Sequence, residues 1–459
     1  MIDDVVYYTS LLVCISLSTC YRRIDDPVAK RNYGAGLGIL VACLVCGCHI
    51  YHSVFIVWGN VIIIKCCDRR YVHQMSMLYT WTYLLYLHCN ALPLYVMWMH
   101  QTMALRLVGL AFEVNSLVKN NNSTVPSSTV RFADDANALT AVPNAVDIIA
   151  YSYYFIGLHK GPYYRWIIYY DHLSSSFGDL EDCRIITVHK LMKAAVFFLI
   201  NGMLKMKFPV KIYFEDEFYT EHGSDYRYLY NVPQLLMFFL QYQILMMLCT
   251  SICTEAGFGV YPAKCEALPG LGPSATLSVL RLTRGDPRLA LEQEYNFAML
   301  KCFDNTKLIK GPKMKDTLRG WDMPTRYWFW SNIYKNLLKA SKEVRSASSF
   351  FAWTVWCGPT LRRIIASATL WVYIHLEAEY SNVYNTTGQL KTAWDIGFSI
   401  MRLFCLIYLT PCFTISDTKI VLKYYNSMFW MFHFLLLILI IGVIVAQKTK
   451  QTSRSGMFL

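Results

Sequence analysis

The sequence predicts an all-α polytopic membrane protein. Hydrophobic residues fill 55% of its 459 positions and charged residues only 16%, and the mean hydropathy is +0.30. A soluble domain carries about 25% charged residues, so this balance excludes an ordinary soluble protein. Apolar tracts near the length that crosses a bilayer recur along the whole chain, and we expect roughly nine to eleven transmembrane or re-entrant helices.

These tracts follow one another in order. They cover residues 5–19, 33–64, 75–99, 142–158, 194–206, 232–253, 347–376, 393–414 and 428–446. The first is a retained helix and not a signal peptide, because its leading flank is acidic and Arg22 and Arg23 follow with no small-residue cleavage site. The last is followed by Lys448, Lys450 and Arg454, so the tail at 447–459 is predicted to be cytosolic.

Three stretches lack membrane character. Residues 119–142 are rich in Ser, Thr and Asn, which predicts a flexible loop, and they hold overlapping sequons at Asn121 and Asn122. A third sequon begins at Asn385, between two predicted spans. Each asparagine is a glycosylation candidate only if its loop is lumenal. The other two stretches are residues 213–228 and the longer one that begins at residue 262.

Positive charge is concentrated in residues 281–345. This stretch has 14 Lys or Arg and 7 Asp or Glu, a net +7 within a chain total of +12. It is predicted to lie on the cytosolic side of the membrane. There it either binds an anionic partner or only reflects the general excess of Lys and Arg in cytosolic segments. No nucleic-acid-binding motif accompanies the charge, so a nucleic-acid partner is not expected.

Sixteen cysteines are spread through apolar sequence and are expected to act as small buried hydrophobes. Cys43, Cys46, Cys48, His49 and His52 have metal-like spacing, but helix packing is favoured inside a hydrophobic tract. No metal site is predicted.

Four short sequence blocks with distinctive residues occur in order between residues 151 and 358. The first runs from Tyr151 through Gly161 and Pro162 to Arg165 and Asp171, and predicts a broken helix beside a membrane surface with a belt of tyrosines. The second, residues 255–262, combines small residues with a terminal proline. The third is Trp321-Asp322-Met323-Pro324, and the fourth ends in Trp356-Cys357-Gly358.

Together these blocks resemble the membrane-bound O-acyltransferase family, most closely its lysophosphatidylinositol acyltransferase branch. The third and fourth blocks are similar to the family's Trp-Asn-Met and Trp-His-Gly segments, which carry its catalytic Asn and His. Here the two positions hold Asp322 and Cys357. Asp322 lies 23 residues before Arg345 and Cys357 lies 12 after it, a register that needs no gap against that branch.

The resemblance implies one family domain over residues 1–459, with helices around a buried tunnel in the endoplasmic reticulum membrane. Within it, 262–345 is the basic segment that carries Asp322, and 347–376 is one helix that carries Cys357. The implied reaction transfers an acyl chain from acyl-CoA, a co-substrate, to a lysophospholipid, with no cofactor. Trp321, Trp356 and Arg165 are implied substrate contacts. The oligomeric state is not predicted.

The two substitutions leave several interpretations open. A buried thiol is a poor general base, so activity is expected to be weakened or lost. Alternatively Cys357 accepts the acyl group by thioester exchange and Asp322 then deprotonates the lipid hydroxyl. A catalytically inactive member that binds lipid or acyl-CoA as a scaffold or sensor also fits. A transporter is disfavoured, because no acidic relay appears within the spans.

Other histidines are candidates to replace the missing imidazole, and two arginines that follow Cys357 are candidate ligands of a substrate. His375 lies about 27 Å beyond it if the helix is continuous, so it is out of reach. His433, His159 and His189 are interpreted as packed or hydrogen-bonded residues. Arg362 and Arg363 follow Cys357 closely in an apolar run, and they either bind a phosphate or serve the membrane boundary or an internal ion pair.

Overall fold

The computed structural model describes residues 2–121, 141–174, 177–275, 280, 283–383 and 387–455. The protein is 77% helical, which confirms the predicted all-α class. The described strands, β1 (Tyr261–Pro262) and β2 (Tyr295–Asn296), form one short antiparallel pair in which Tyr261 faces Asn296.

The helices of the amino-terminal half range from 4 to 28 residues. They are α1 (Ile2–Arg22), α2 (Pro27–Cys46), α3 (Ile50–Cys66), α4 (Val72–Cys89), α5 (Leu94–Asn121), α6 (Ala145–Ser152), α7 (Trp166–Ser174), α8 (Cys183–Lys207), α9 (Glu217–Thr220), α10 (Ser224–Leu229) and α11 (Asn231–Glu255). Their ends follow local signals. At the start of α2, for example, Asp26 accepts a hydrogen bond from the Ala29 amide at 2.7 Å and Pro27 takes the first helical position.

The carboxyl-terminal half begins with short helices and ends with long ones. They are α12 (Pro287–Leu291), α13 (Asn305–Lys310), α14 (Met314–Gly320), α15 (Met323–Phe329), α16 (Lys342–Cys357), α17 (Leu361–Val383), α18 (Gln389–Thr414), α19 (Thr418–Ser427) and α20 (Met431–Ser455). A single π-helical turn, Trp330–Tyr334, follows α15. The backbone of α20 continues as helix into residues 447–455, which the sequence assigned to a tail.

Only some of these helices are apolar enough to be clear membrane spans. Within the described ranges, four stretches satisfy both length and hydropathy: Asp3–Arg22, Pro27–Cys66, Ser224–Glu255 and Gln389–Thr414. The pair α19 and α20, bent by 67°, is a fifth if it counts as one span. Long helices such as α5 fall short because they carry buried charges, including Arg106 and Glu113. The expected number of crossings and the tunnel stay predictions.

The chain separates into two compact units, each built from three segments. The first contains residues 1–196, 243–302 and 322–336, and the second contains 197–242, 303–321 and 337–459. The first unit includes α1 to α7, and α4 packs along α5 within it. The second is centred on a buried cluster that includes Tyr213, Tyr373, Tyr408, Tyr424 and Phe432. Burial of these large side chains supplies its main stabilising term.

Candidate active site

Asp322 occupies a sharp turn in the first unit, between α14 and α15. Its backbone is left-handed, with φ of +38°, and its side chain is buried. Asp and Asn are the non-glycine residues that tolerate this conformation best. The turn therefore accommodates Asp322 and equally the asparagine that the resemblance implies there. The Met323 amide donates to the Cys302 carbonyl at 2.9 Å, which ties the turn to the preceding segment.

The Cys302 thiol lies in the electrostatic field of Asp322. Burial raises the pKa of Cys302 well above its usual value, and the Asp322 carboxylate raises it further, whereas Lys190 opposes the shift. Cys302 is therefore a neutral thiol, and its Sγ donates to the Leu300 carbonyl at 3.5 Å. It shapes the surroundings of Asp322 and is not itself an activated nucleophile.

The helix that begins after Asp322 is firmly anchored in the first unit. Trp328 of α15 is fully buried, and its indole N–H donates to the Leu105 carbonyl of α5 at 2.8 Å. Its ring also stacks on Trp81 with centroids 5.3 Å apart. A large buried aromatic ring whose N–H is hydrogen-bonded fixes the position of its helix. Because α15 directly follows Asp322 in the chain, this anchored helix limits the position of Asp322.

Cys357 is the last residue of α16 and is half-buried in the second unit. The helix stops there because Gly358 adopts φ of +101° and Pro359, which follows, has no amide hydrogen to donate. The predicted continuous helix over 347–376 is therefore wrong. The structure has two helices, with α17 starting at Leu361.

Two arginines at the start of α17 contact backbone carbonyls of the second unit. The Arg363 guanidinium donates to the carbonyl oxygens of Cys357 and Gly358, the latter at 3.2 Å, and so neutralises the negative end of α16. Arg362 donates to the Cys412 carbonyl at 2.8 Å. Each guanidinium has five donors, so these bonds leave capacity for a ligand, and phosphate binding stays a prediction.

The hairpin of α16 and α17 places His375 away from Cys357. The His375 ring is close to Glu343, in the first turn of α16, whereas Cys357 ends that helix. The 16 residues of α16 separate its two ends by about 22 Å at 1.5 Å per residue. His375 therefore lies too far from Cys357 to replace the missing imidazole. The two residues are far apart, as predicted, but they belong to different helices and not to one continuous helix.

The other weighed histidines have their own surroundings. In α20, His433 bonds to the Thr369 hydroxyl and to the Tyr408 hydroxyl, each at 3.0 Å. His159 is fully buried with its Nε2 3.0 Å from Ser10 Oγ, and His189 is exposed. The first two are hydrogen-bonded residues of the core, as the sequence indicated.

Trp321 belongs to an aromatic cluster in the second unit. Its ring centroid lies 5.0 Å from that of Phe303, 5.1 Å from Tyr242 and 5.8 Å from both Phe238 and Phe239. All five rings are half-buried, so they form an apolar surface around Trp321, the residue that precedes Asp322 in the sequence. Such a surface suits an acyl chain. Trp356 is also buried in this unit, and the substrate contacts implied for both tryptophans stay predictions.

Arg165 lies inside the first unit and not at an exposed membrane boundary. Its Nε is 3.6 Å from a carboxylate oxygen of Glu113, and the other oxygen of Glu113 accepts from the Trp166 amide at 2.9 Å. Most tyrosines predicted as an interfacial belt are buried as well, including Tyr151 and Tyr164, whereas Tyr170 is exposed. This block packs internally, because its polar groups find protein partners.

Arg106, a residue that the sequence did not single out, organises that block. Arg106 of α5 is fully buried, and its guanidinium donates to the carbonyls of Tyr151 at 3.2 Å, Ser152 at 3.3 Å, Tyr154 at 2.8 Å and Ile156. It also lies over the Tyr164 ring, 4.9 Å from the centroid. A lone arginine within an apolar run is the signal that could have revealed it.

Residues at and near the first and second sequence blocks line one polar cavity. It encloses about 210 Å³, including its open mouth, and Asp171, His172, Arg284, Gly257 and Gly259 contribute to its lining. Arg284 pairs with Asp171 at 3.3 Å. Burial raises the pKa of the Asp171 carboxyl, and the Arg284 guanidinium opposes that shift.

The described ranges contain no group of three or more His, Cys, Asp or Glu side chains that could hold a metal ion. Two predicted glycosylation sites, Asn122 and Asn385, lie outside the described residues, as does most of the predicted 119–142 loop. Asn121 ends α5, and its side chain is not among those described.

The fold and these motifs define a multi-span membrane protein with an acyltransferase-like arrangement of blocks. The family description "MBOAT, membrane-bound O-acyltransferase family" matches residues 86–416. The chain belongs to this family.

Three relatives illustrate its position within the family. The membrane-bound acylglycerophosphatidylinositol O-acyltransferase of Xenopus laevis is 26% identical over 467 residues, covering 99% of this chain and 96% of the relative. The Drosophila melanogaster protein of that description is 25% identical over 93% of this chain and 89% of its own. The Homo sapiens protein is 24% identical over 95% and 92%. The similarity is distant but extends over nearly the full length.

Proposed function

We propose that this protein is a lysophospholipid O-acyltransferase that uses acyl-CoA as donor and lysophosphatidylinositol as acceptor. The observation that carries the proposal is the end-to-end similarity to relatives named acylglycerophosphatidylinositol O-acyltransferases, which reaches 99% of this chain for the Xenopus laevis protein. Family membership supports an acyl donor and an acyl acceptor, and the relatives' names suggest the head group. The half-buried aromatic cluster around Trp321 offers an apolar surface for the acyl chain.

The chemistry assigned to Cys357 is nucleophilic. Its sulfur attacks the carbonyl carbon of the acyl-CoA thioester, and coenzyme A leaves as a thiol with the proton that Cys357 gives up. The lysophospholipid hydroxyl then attacks the acyl-Cys357 thioester. Its proton passes to a base, for which Asp322 is the candidate, and the departing Cys357 sulfur regains a proton. The cycle forms one ester, breaks one thioester and needs no redox partner.

A second candidate function is supported by the same two residues. Cys357 and Asp322 replace the histidine and asparagine that the resemblance implies, and a carboxylate with a half-buried thiol is a weak substitute for an imidazole. On this alternative the protein binds lipid or acyl-CoA as a scaffold or sensor and catalyses no transfer. It requires the apolar surface at Trp321 but not the Cys357 thiol.

The proposal places the protein in the endoplasmic reticulum membrane with its carboxyl terminus in the cytosol. The orientation is supported by the basic residues that follow position 446 and by the net +7 of residues 281–345, whereas the organelle is inferred from the family resemblance alone. Protease protection of a carboxyl-terminal tag in sealed microsomes tests this topology. Cleavage of the tag without detergent is expected, and protection would reverse the assignment.

Purified full-length protein should be assayed with acyl-CoA and lysophosphatidylinositol, beside Cys357→Ala and the double variant Cys357→His with Asp322→Asn. We expect turnover in the unmodified protein, its loss in Cys357→Ala, and a trapped acyl adduct on Cys357. Cys89→Ala, at an exposed helix end, is the matched control.

Each other result has a distinct meaning. Turnover that survives Cys357→Ala would remove the thiol from the mechanism. Turnover that appears only in the double variant would identify an inactive protein on a competent scaffold. Binding of acyl-CoA without turnover in any variant would favour the scaffold or sensor function.

A further inference from the structure

The segment that leads to Asp322 is a closed loop within the second unit. Residues 304–320 contain α13 and α14, and the Asp304 amide donates to the Gly320 carbonyl at 2.9 Å, which joins the two ends of the loop. Trp321 joins this loop covalently to Asp322. Contacts that fix the loop therefore also restrict the position of the Asp322 backbone.

Arg402 of α18 holds one end of α13. Its side chain is 2% exposed, and its guanidinium donates to the carbonyls of Leu308 at 3.0 Å and Ile309 at 3.1 Å. Both carbonyls belong to the last turn of α13, where a helix carries partial negative charge. The guanidinium also contacts Thr317 Oγ1 at 3.1 Å, so one side chain reaches both short helices.

Glu377 of α17 holds the facing end of α14. Its side chain is 4% exposed, and its two oxygens accept from the amides of Met314 at 2.7 Å and Lys315 at 3.3 Å. These are first-turn amides, where a helix carries partial positive charge. Beside it, Lys313 Nζ donates to Ser381 Oγ of the same long helix at 2.6 Å.

The two contacts are electrostatically matched. A buried cation meets a helix carboxyl terminus and a buried anion meets a helix amino terminus, and both charges come from long helices of the second unit. Charged side chains in such helices are costly unless the protein compensates them. Here the described hydrogen bonds of both carboxylate oxygens, and those of the guanidinium, go to the 304–320 loop.

We propose that Arg402 and Glu377 are positioning residues for acyl transfer, which hold the 304–320 loop so that Asp322 begins at a fixed place. This inference rests on the proposed function for its kinetic readout, whereas its structural readout needs no turnover. Neither residue is assigned contact with substrate. Each acts through the loop and through the two-residue connection from Gly320 to Asp322.

The test is amide hydrogen exchange of the full-length protein in lipid nanodiscs, comparing Glu377→Gln and Arg402→Gln with the unmodified chain. At least tenfold faster exchange is expected at Met314 and Lys315, because their carboxylate acceptor is weakened or its loop is released. The same increase is expected at Met323 and Arg326, which lie beyond the contacts themselves. Lys391→Met, on the exposed start of α18, should leave all four amides unchanged.

Two exchange results would overturn the inference. If Met314 and Lys315 exchange faster while Met323 and Arg326 keep their original rates, the charges hold the loop but do not position Asp322. If no amide changes, the charges do not hold the loop. Arg402→Lys keeps the positive charge with fewer hydrogen-bond donors, so its amide exchange rates should lie between those of Arg402→Gln and of the unmodified protein. If Arg402→Gln does not fold, Arg402→Lys takes its place in the test.

Kinetics supply the second readout. A positioning role predicts that Glu377→Gln lowers kcat at least tenfold while KM for acyl-CoA and for the lysophospholipid stay within twofold. A raised KM with unchanged kcat would refute positioning of a catalytic group. Absence of turnover in the unmodified protein would refute the proposed function instead, and hydrogen exchange would still decide the role of the two charges.

Discussion

The Arg363 guanidinium donates to the backbone carbonyl of Cys357, at the last residue of α16. The helix that contains the family's signature position therefore ends beside a positive charge, the Arg363 guanidinium of α17. Because the bond is made to the backbone, it holds Cys357 irrespective of its side chain. A histidine at the same position would be held in the same way.

Arg363→Met should lower the free energy of unfolding by about 1 to 2 kcal/mol, since two carbonyl contacts of a half-buried guanidinium are lost. Thermal unfolding of detergent-solubilised protein measures the change, and Lys419→Met, exposed at the start of α19, is the control. Unchanged stability combined with weaker acyl-CoA binding would instead identify Arg363 as a phosphate ligand.

Asp322→Asn should retain the stability of the unmodified protein, whereas Asp322→Val should lose about 1 to 2 kcal/mol. The reason is the left-handed backbone at φ of +38°, which asparagine tolerates and a β-branched residue does not. Thermal midpoints of both variants and of Asp322→Gly provide the measurement. Equal midpoints for valine and asparagine would show that the turn relaxes on substitution.

Arg106→Met should abolish monodisperse expression or destabilise the fold by about 3 kcal/mol or more. Four carbonyls of the 151–156 stretch lose their donor in an interior that offers few alternatives. Size-exclusion profiles of the solubilised protein report the effect, with the exposed Arg70→Met as control. Arg106→Lys, which keeps one cation with fewer donors, should be intermediate, and wild-type behaviour of Arg106→Met would contradict the organising role.

Trp321→Ala should raise KM for a long-chain acyl-CoA about tenfold, as expected for the loss of one large ring from an apolar contact surface. Trp321→Phe should stay within about threefold, because it preserves most of the ring contacts. A short-chain acyl-CoA is the matched control, and its KM should change little in either variant. Equal effects on both chain lengths would place the acyl chain elsewhere.

Much of this protein could be determined from the sequence alone. Composition and recurring apolar tracts are properties of the chain, so they predicted an all-α membrane protein without any contact information. The ordered blocks identified the family, because the residues around Asp322 and Cys357 keep the family pattern although these two positions depart from it. The Gly358-Pro359 pair was present in the sequence as well, and its helix-ending effect was overlooked in favour of hydrophobic length.

The partners of the charged residues were decided only by the tertiary structure. Arg165, Arg106, Arg402 and Glu377 are charges in apolar or mixed sequence, and the partners in their described bonds lie between 45 and 94 residues away. Long-range hydrogen bonds leave no periodic signal in a sequence. The structure alone therefore shows which charges lie at the surface and which hold backbone segments in place.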